Sequence, residues 1–113
     1  MGQEQSAPTR EECDVWITYC GDGGYNPSYT RFKGALEQAI PGIVVGGAPT
    51  PKASGAFEVE GLKSKTLHHS KLATKKFPDE STEMKAAVIE TVRKDFEASK
   101  RVEIDDWAGQ GER

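Results

Sequence analysis

Val15, Ile17 and Tyr19 alternate with Trp16 and Thr18, and the run is rich in β-branched and aromatic residues. That period-2 pattern predicts a strand. A glycine-rich loop, Cys20-Gly21-Asp22-Gly23-Gly24-Tyr25, follows it. The periodicity then changes. Tyr29, Phe32, Leu36, Ala39 and Ile40 recur at steps of three and four, which predicts an amphipathic helix over 27–40. Asn26 is placed to cap this helix and Pro27 suits its first position. Pro41-Gly42 ends it.

Ile43-Val44-Val45 is a short, fully apolar run and predicts a buried central strand. A strand-helix-strand crossover of this length implies parallel pairing and a right-handed connection. The stretch 46–51, Gly-Gly-Ala-Pro-Thr-Pro, reads as a loop. Ala56-Phe57-Glu58-Val59-Glu60 alternates as a strand should. A turn at Gly61 and a return strand over 62–72 complete an antiparallel hairpin. Met84, Val88, Val92 and Phe96, with Ile89 beside them, form a stripe that predicts a second helix from about Asp79 to Lys100. Glu90–Lys94 and Glu97–Arg101 are spaced for ion pairs on its wet side. The order β-α-β-β-β-α, with both helices on one face of the sheet, is a two-layer α/β sandwich. A strand, a loop cysteine and a helix in a small α/β chain suggest a thioredoxin-like arrangement.

Composition sets limits on this picture. The chain has 113 residues, enough for one small domain, here read as 13–100. Residues 1–12 read as a polar, disordered leader and 101–113 as a polar tail, with Ile104 and Trp107 able to pack back. The net charge of −3 argues against general nucleic-acid binding. No apolar run approaches the length of a membrane span or a signal-peptide core, so the expected compartment is the cytosol. Gly2 followed by Ser6 matches the N-myristoylation pattern, although an ordinary polar terminus is the favoured reading. One acyl chain without a polybasic patch anchors only marginally.

Two cysteines do not make a disulfide framework. Seven extended residues between Cys13 and Cys20 span roughly 23 Å, whereas a disulfide needs Cα atoms within about 7 Å. Each is therefore a separate thiol. Cys20 sits where a strand ends before a helix, and a helix start stabilises an anion such as a thiolate. The functional expectation is an exposed thiol of lowered pKa, with Asp22 opposing the shift through like charge; the equal rival is an inert cysteine that packs as a small apolar group. Cys13, at the far end of the strand, reads as structural. His68 and His69 are adjacent, so in a regular strand they face opposite sides and no metal site is expected. The loop Gly21–Gly24 lacks the Lys-Ser/Thr of a phosphate-binding loop. Five lysines, Lys63, Lys65, Lys71, Lys75 and Lys76, run along the hairpin's return arm with no acid among them. They read first as protection of a sheet edge, and second as a docking patch for an acidic partner. Thr50-Pro51 precedes a strand, and the sequence leaves its isomer open.

These residues also carry a resemblance. Tyr19-Cys20-Gly21-x-x-Gly24-Tyr25-x-x-x-Tyr29, Pro41-Gly42, Ser54-Gly55-Ala56-Phe57-Glu58-Val59 and His69-Ser70-Lys71 resemble the selenoprotein W-like (Rdx) family. The resemblance implies a thioredoxin-like fold and thiol-disulfide exchange through Cys20. It also implies glutathione as co-substrate, with no bound cofactor, and docking on 14-3-3 adaptor proteins. The chain departs from the family motif, Cys-x-x-selenocysteine or Cys-x-x-Cys, because Gly23 holds the second position. A glycine cannot resolve a mixed disulfide, so resolution must come from an external thiol. Three readings fit Gly23. The chain is a one-thiol relative, or a selenocysteine has been replaced or misread, or the redox role is lost. In the last case the chain is a redox-inactive interaction module that uses the Cys20–Tyr25 loop and the lysine-rich hairpin.

Overall fold

The computed structural model describes the backbone over residues 9–112 and side chains through residue 100. Five stretches follow the predicted order. β1 (Val15–Tyr19) leads into α1 (Asn26–Ala39), β2 (Val45–Pro49), β3 (Phe57–Gly61) and β4 (Thr66–Ser70). The short α2 (Lys71–Thr74) and the long α3 (Thr82–Glu112) complete the chain. The sheet order is β2-β1-β3-β4. β1 pairs parallel with β2 and antiparallel with β3, and β4 returns antiparallel to β3. Val15, Ile17, Tyr19, Phe57 and Val59 point to one face and are buried there with Phe32 and Leu36 of α1 and Val88 and Val92 of α3. Both helices thus cover one face, as a two-layer α/β sandwich of thioredoxin-like kind requires. Trp16, Thr18, Glu58 and Glu60 alternate onto the other, half-exposed face, where the Arg10 guanidinium lies over Trp16 and pairs with Glu60.

Several boundaries differ from the sequence expectation, each for a physical reason. Ile43–Val45 is not a central strand. β2 begins at Val45, lies at the sheet edge, and leaves Val44 36% exposed. The stretch Gly46–Pro49, expected as loop, is strand. Its glycines are there for close approach: a Cβ at Gly46 would strike the Cys13 sulfur, and one at Gly47 the Ile17 carbonyl and the Tyr29 ring. Asn26 does not cap α1 but is its first residue, and its side-chain amide donates to the Tyr19 hydroxyl at 3.2 Å. Ala39, expected on the buried face of α1, is exposed.

The return strand is shorter than 62–72, because Ser70 accepts the Ala73 N–H and starts α2. α3 starts at Thr82 rather than near Asp79. Ser81 accepts the Met84 N–H at 3.0 Å as its cap, while Asp79 pairs with Arg31 of α1 at 2.7 Å. Its backbone stays helical to Glu112, beyond the expected end at Lys100. Glu90 pairs with Arg93 rather than Lys94, and Arg93 also takes Glu97. The expected Glu97–Arg101 pair and the packing of Ile104 and Trp107 fall on side chains outside the described residues. So do residues 1–8, with the Gly2 pattern. No peptide bond among the described residues is cis, Thr50–Pro51 included.

Phe57 is fully buried and meets Phe32 and Phe77 edge-on at 6.5 and 5.4 Å. Phe57→Ala is therefore expected to cost about 3–5 kcal/mol, read as a lower urea midpoint. An unchanged midpoint would show that the core does not depend on this ring.

Candidate functional site

β1 is hydrogen-bonded on both flanks, so the residue that follows it emerges between two loops. That residue is Cys20. Its N–H donates to the Ala56 carbonyl at 2.8 Å, and the Thr50 N–H donates to the Tyr19 carbonyl at 2.7 Å. The chain then runs through Gly21 and Asp22 into a 3-10 turn over Gly23–Tyr25, and α1 begins at Asn26. The Asp22 side chain accepts the Gly24 N–H at 3.5 Å and so fixes the turn. The Gly24 amide of the glycine loop is thus taken by the loop's own carboxylate.

The Cys20 sulfur accepts two backbone N–H bonds, from Asp22 at 3.4 Å and from Ser54 at 3.2 Å. One comes from its own loop and one from the loop between β2 and β3. Its pKa lies below that of an ordinary thiol. The Gly55 backbone contributes most, the Asp22 and Ser54 amides add to it, and burial and the Asp22 carboxylate work against them. The expected direction of the shift is correct, but its expected source is not. α1 starts six residues beyond Cys20, and amides from two loops stabilise the anion. The thiol is also not exposed. Cys20 is 3% accessible, and the Ser54 N–H of the 50–56 loop lies against its sulfur.

Cys13 lies at the other end of β1, 1% exposed, with its S–H donating to the Thr9 carbonyl at 3.3 Å. Burial, then Asp14 and Glu12, raise its pKa, so it is a poor nucleophile. The two cysteines are unbridged. The histidines do not face opposite sides. The β3–β4 register shifts between Val59 and Glu60, and His68 is the unpaired extra residue. Both rings therefore find partners: His68 meets Thr91 and Asp95 of α3 at 3.1 and 3.0 Å, and His69 meets the Lys76 carbonyl at 2.7 Å. Among the described residues no group of three His, Cys, Asp or Glu side chains converges as metal ligands.

The hairpin lysines are not all without an acid. Lys63 pairs with the buried Asp14 at 3.0 Å, and Asp14 also accepts the Val44 N–H at 2.9 Å. Lys71 places its ammonium 5.4 and 5.2 Å from the ring centres of Tyr25 and Phe77. It thereby joins the lysine arm to the cysteine loop. Tyr19 stacks on Tyr29 at 4.7 Å, and burial, then Tyr19, push the Tyr29 phenol up to about 12, so it stays neutral. Thr50, Ser54 and Gly55 are the site residues that sequence reasoning missed as such. Glycine and proline marked their segment as loop, but linear order does not say which loop crosses the cysteine.

Residues 14–90 match the family model described as Rdx family. Selenoprotein W of Gallus gallus is 38% identical over 58 residues, which are 50% of this chain and 67% of that protein. Selenoprotein W of Danio rerio is 36% identical over 58 residues, 50% of this chain and 66% of that protein. The chain thus spans about two thirds of the length of each relative. No helix among the described residues is long and apolar enough to cross a membrane.

A Cβ at Gly21 would strike the Thr50 carbonyl, so any side chain there pushes the two loops apart. Gly21→Ala is expected to cost about 1–3 kcal/mol in urea unfolding. It should also move the pH midpoint of Cys20 alkylation up toward that of a free thiol. Unchanged stability together with an unchanged midpoint would refute this contact.

Proposed function

The chain belongs to the Rdx family, and on that premise we propose that it is a thiol redox protein acting through Cys20 alone. The observation that carries this reading is the sulfur at the end of β1 receiving amides from two loops. A thiolate is the attacking form in exchange, and those N–H groups favour it.

Exchange needs no cofactor. The Cys20 thiolate attacks one sulfur of a disulfide. A new S–S bond forms to Cys20, the old one breaks, and the leaving sulfur departs as a thiolate that takes a proton from water. Gly23 offers no second thiol. An external thiolate must therefore attack the mixed disulfide, and Cys20 leaves as the thiolate that the amides receive. Glutathione, abundant in the expected cytosolic compartment, is the proposed co-substrate in both directions, with partner-protein thiols as the alternative. Because the sulfur is covered, substrate entry requires the 50–56 loop to yield.

Glutathione disulfide is expected to give a stable one-adduct product on Cys20, read by intact and peptide mass, with none in Cys20→Ser. Gly23→Cys should convert that adduct into an internal disulfide, because the second thiol can then resolve it. The pH midpoint of Cys20 alkylation should fall below that of a free thiol, since a lowered pKa means thiolate at lower pH. A free-thiol midpoint combined with no adduct would defeat the redox reading.

A second reading rests on Lys71. Its ammonium over Tyr25 and Phe77 makes one surface of the cysteine loop and the lysine arm. That surface suits a partner with acidic residues, such as a 14-3-3 adaptor. Lys71→Glu should abolish capture of such an adaptor while Cys20→Ser leaves it intact. The opposite pattern would assign capture to the thiol.

A further inference from the structure

We infer that Thr50 is the positioning residue of this site: its hydroxyl ties the 50–56 loop across Cys20 and aims that loop's amide at the sulfur. The inference rests on the thiol reading above and adds the residue on which that chemistry depends.

Thr50 brackets Cys20 from both sides. Its N–H holds the carbonyl of Tyr19, the residue before, at 2.7 Å. Its hydroxyl oxygen accepts the N–H of Gly21, the residue after, at 3.1 Å. The same oxygen lies 2.5 Å from the Lys52 carbonyl and 3.0 Å from the Ser54 hydroxyl. A threonine hydroxyl has one hydrogen and two lone pairs. The Lys52 carbonyl can only accept, so it takes the hydrogen. The two lone pairs then receive the Gly21 N–H and the Ser54 O–H. That fixes the Ser54 hydroxyl as a donor to Thr50, and its own oxygen accepts the Ala56 N–H at 3.3 Å. Every bonding position of the Thr50 hydroxyl is used.

The consequence falls on the sulfur. The link from Thr50 to Lys52 curls the chain back, and the link to Ser54 stops it where the Ser54 N–H reaches the Cys20 sulfur at 3.2 Å. Gly55 follows with a left-handed φ of +76°, which turns the chain toward β3. The Cys20 N–H to Ala56 carbonyl bond closes the circuit. Valine has the shape of threonine without the hydroxyl. Thr50→Val therefore removes three hydrogen bonds while leaving the packing volume in place. The loop that stabilises the thiolate is also part of its cover. Loss of Thr50 should thus change two quantities in opposite senses: the sulfur ionises less readily, and it becomes easier to reach.

The test is the iodoacetamide rate at Cys20, located by peptide mass, from about pH 5 to pH 10, on the whole chain shown to be folded by circular dichroism. Thr50→Val should raise the midpoint by about one pH unit, a tenfold loss of thiolate at neutral pH, and raise the plateau rate at high pH. Thr50→Ser keeps the hydroxyl and should restore the wild-type midpoint, and Ser54→Ala should fall between. A low wild-type midpoint that Thr50→Val leaves unchanged overturns this inference and spares the thiol reading. A wild-type midpoint at the free-thiol value overturns both. If Thr50→Val does not fold, Ser54→Ala decides, and an unchanged midpoint there overturns the inference.

Discussion

The double pairing of β1 is the constraint on which the rest depends. A strand bonded to β2 on one side and β3 on the other has no free edge, and its alternate residues must be apolar on the helix face. Val15, Ile17 and Tyr19 meet that demand. Whatever follows the strand emerges between the loops of its neighbours, so the residue at position 20 is enclosed by backbone. At the opposite end the strand is preceded by Asp14, whose buried carboxylate joins Val44 to Lys63. The two ends of β1 thus carry a carboxylate and a thiol, each held by backbone N–H groups.

The Cys20 pKa is lowered by a different device from the one that a strand-loop-helix pattern suggests. A helix dipole acts strongly only within its first turn, and here a full loop and a 3-10 turn intervene. Directed N–H bonds to the charged form do the work instead. They come from both loops at the strand's end, so the sulfur's ionisation depends on how the loops fit together. Asp22 contributes in both senses: its N–H favours the thiolate and its carboxylate opposes it. The carboxylate is occupied with the Gly24 N–H, and that bond gives the glycine turn a fixed shape although residue 23 has no side chain.

Cover and activation are one structure. The thiol is 3% exposed and has its pKa lowered, and the Ser54 amide of the 50–56 loop contributes to both as it meets the sulfur. Lys71, over Tyr25 and Phe77, gives the adjoining surface a positive charge on an aromatic base.

The alternation of Val15 to Tyr19, the stripe of Phe32 and Leu36, and the stripe of Val88 and Val92 determined by themselves the α/β class, the element order and most of the core. These are local periodicities, and burial of one face follows from them directly. The resemblance carried by Tyr19-Cys20-Gly21 located the thiol. What needed the tertiary structure was every feature set by residues far apart in the chain. Gly46 and Gly47 read as loop because glycine is a local breaker, yet they are strand because they pair with Trp16 and Ile17 of β1, where Cys13, Trp16 and Tyr29 leave no room for a side chain. The adjacent histidines read as opposite-facing because alternation is local, yet a register shift against β3 turns both to use. One of the amides on Cys20 comes from its own loop, but the other comes from Ser54, more than thirty positions away. Periodicity encodes which face is buried, but only the closed sheet decides which loop lies across the sulfur.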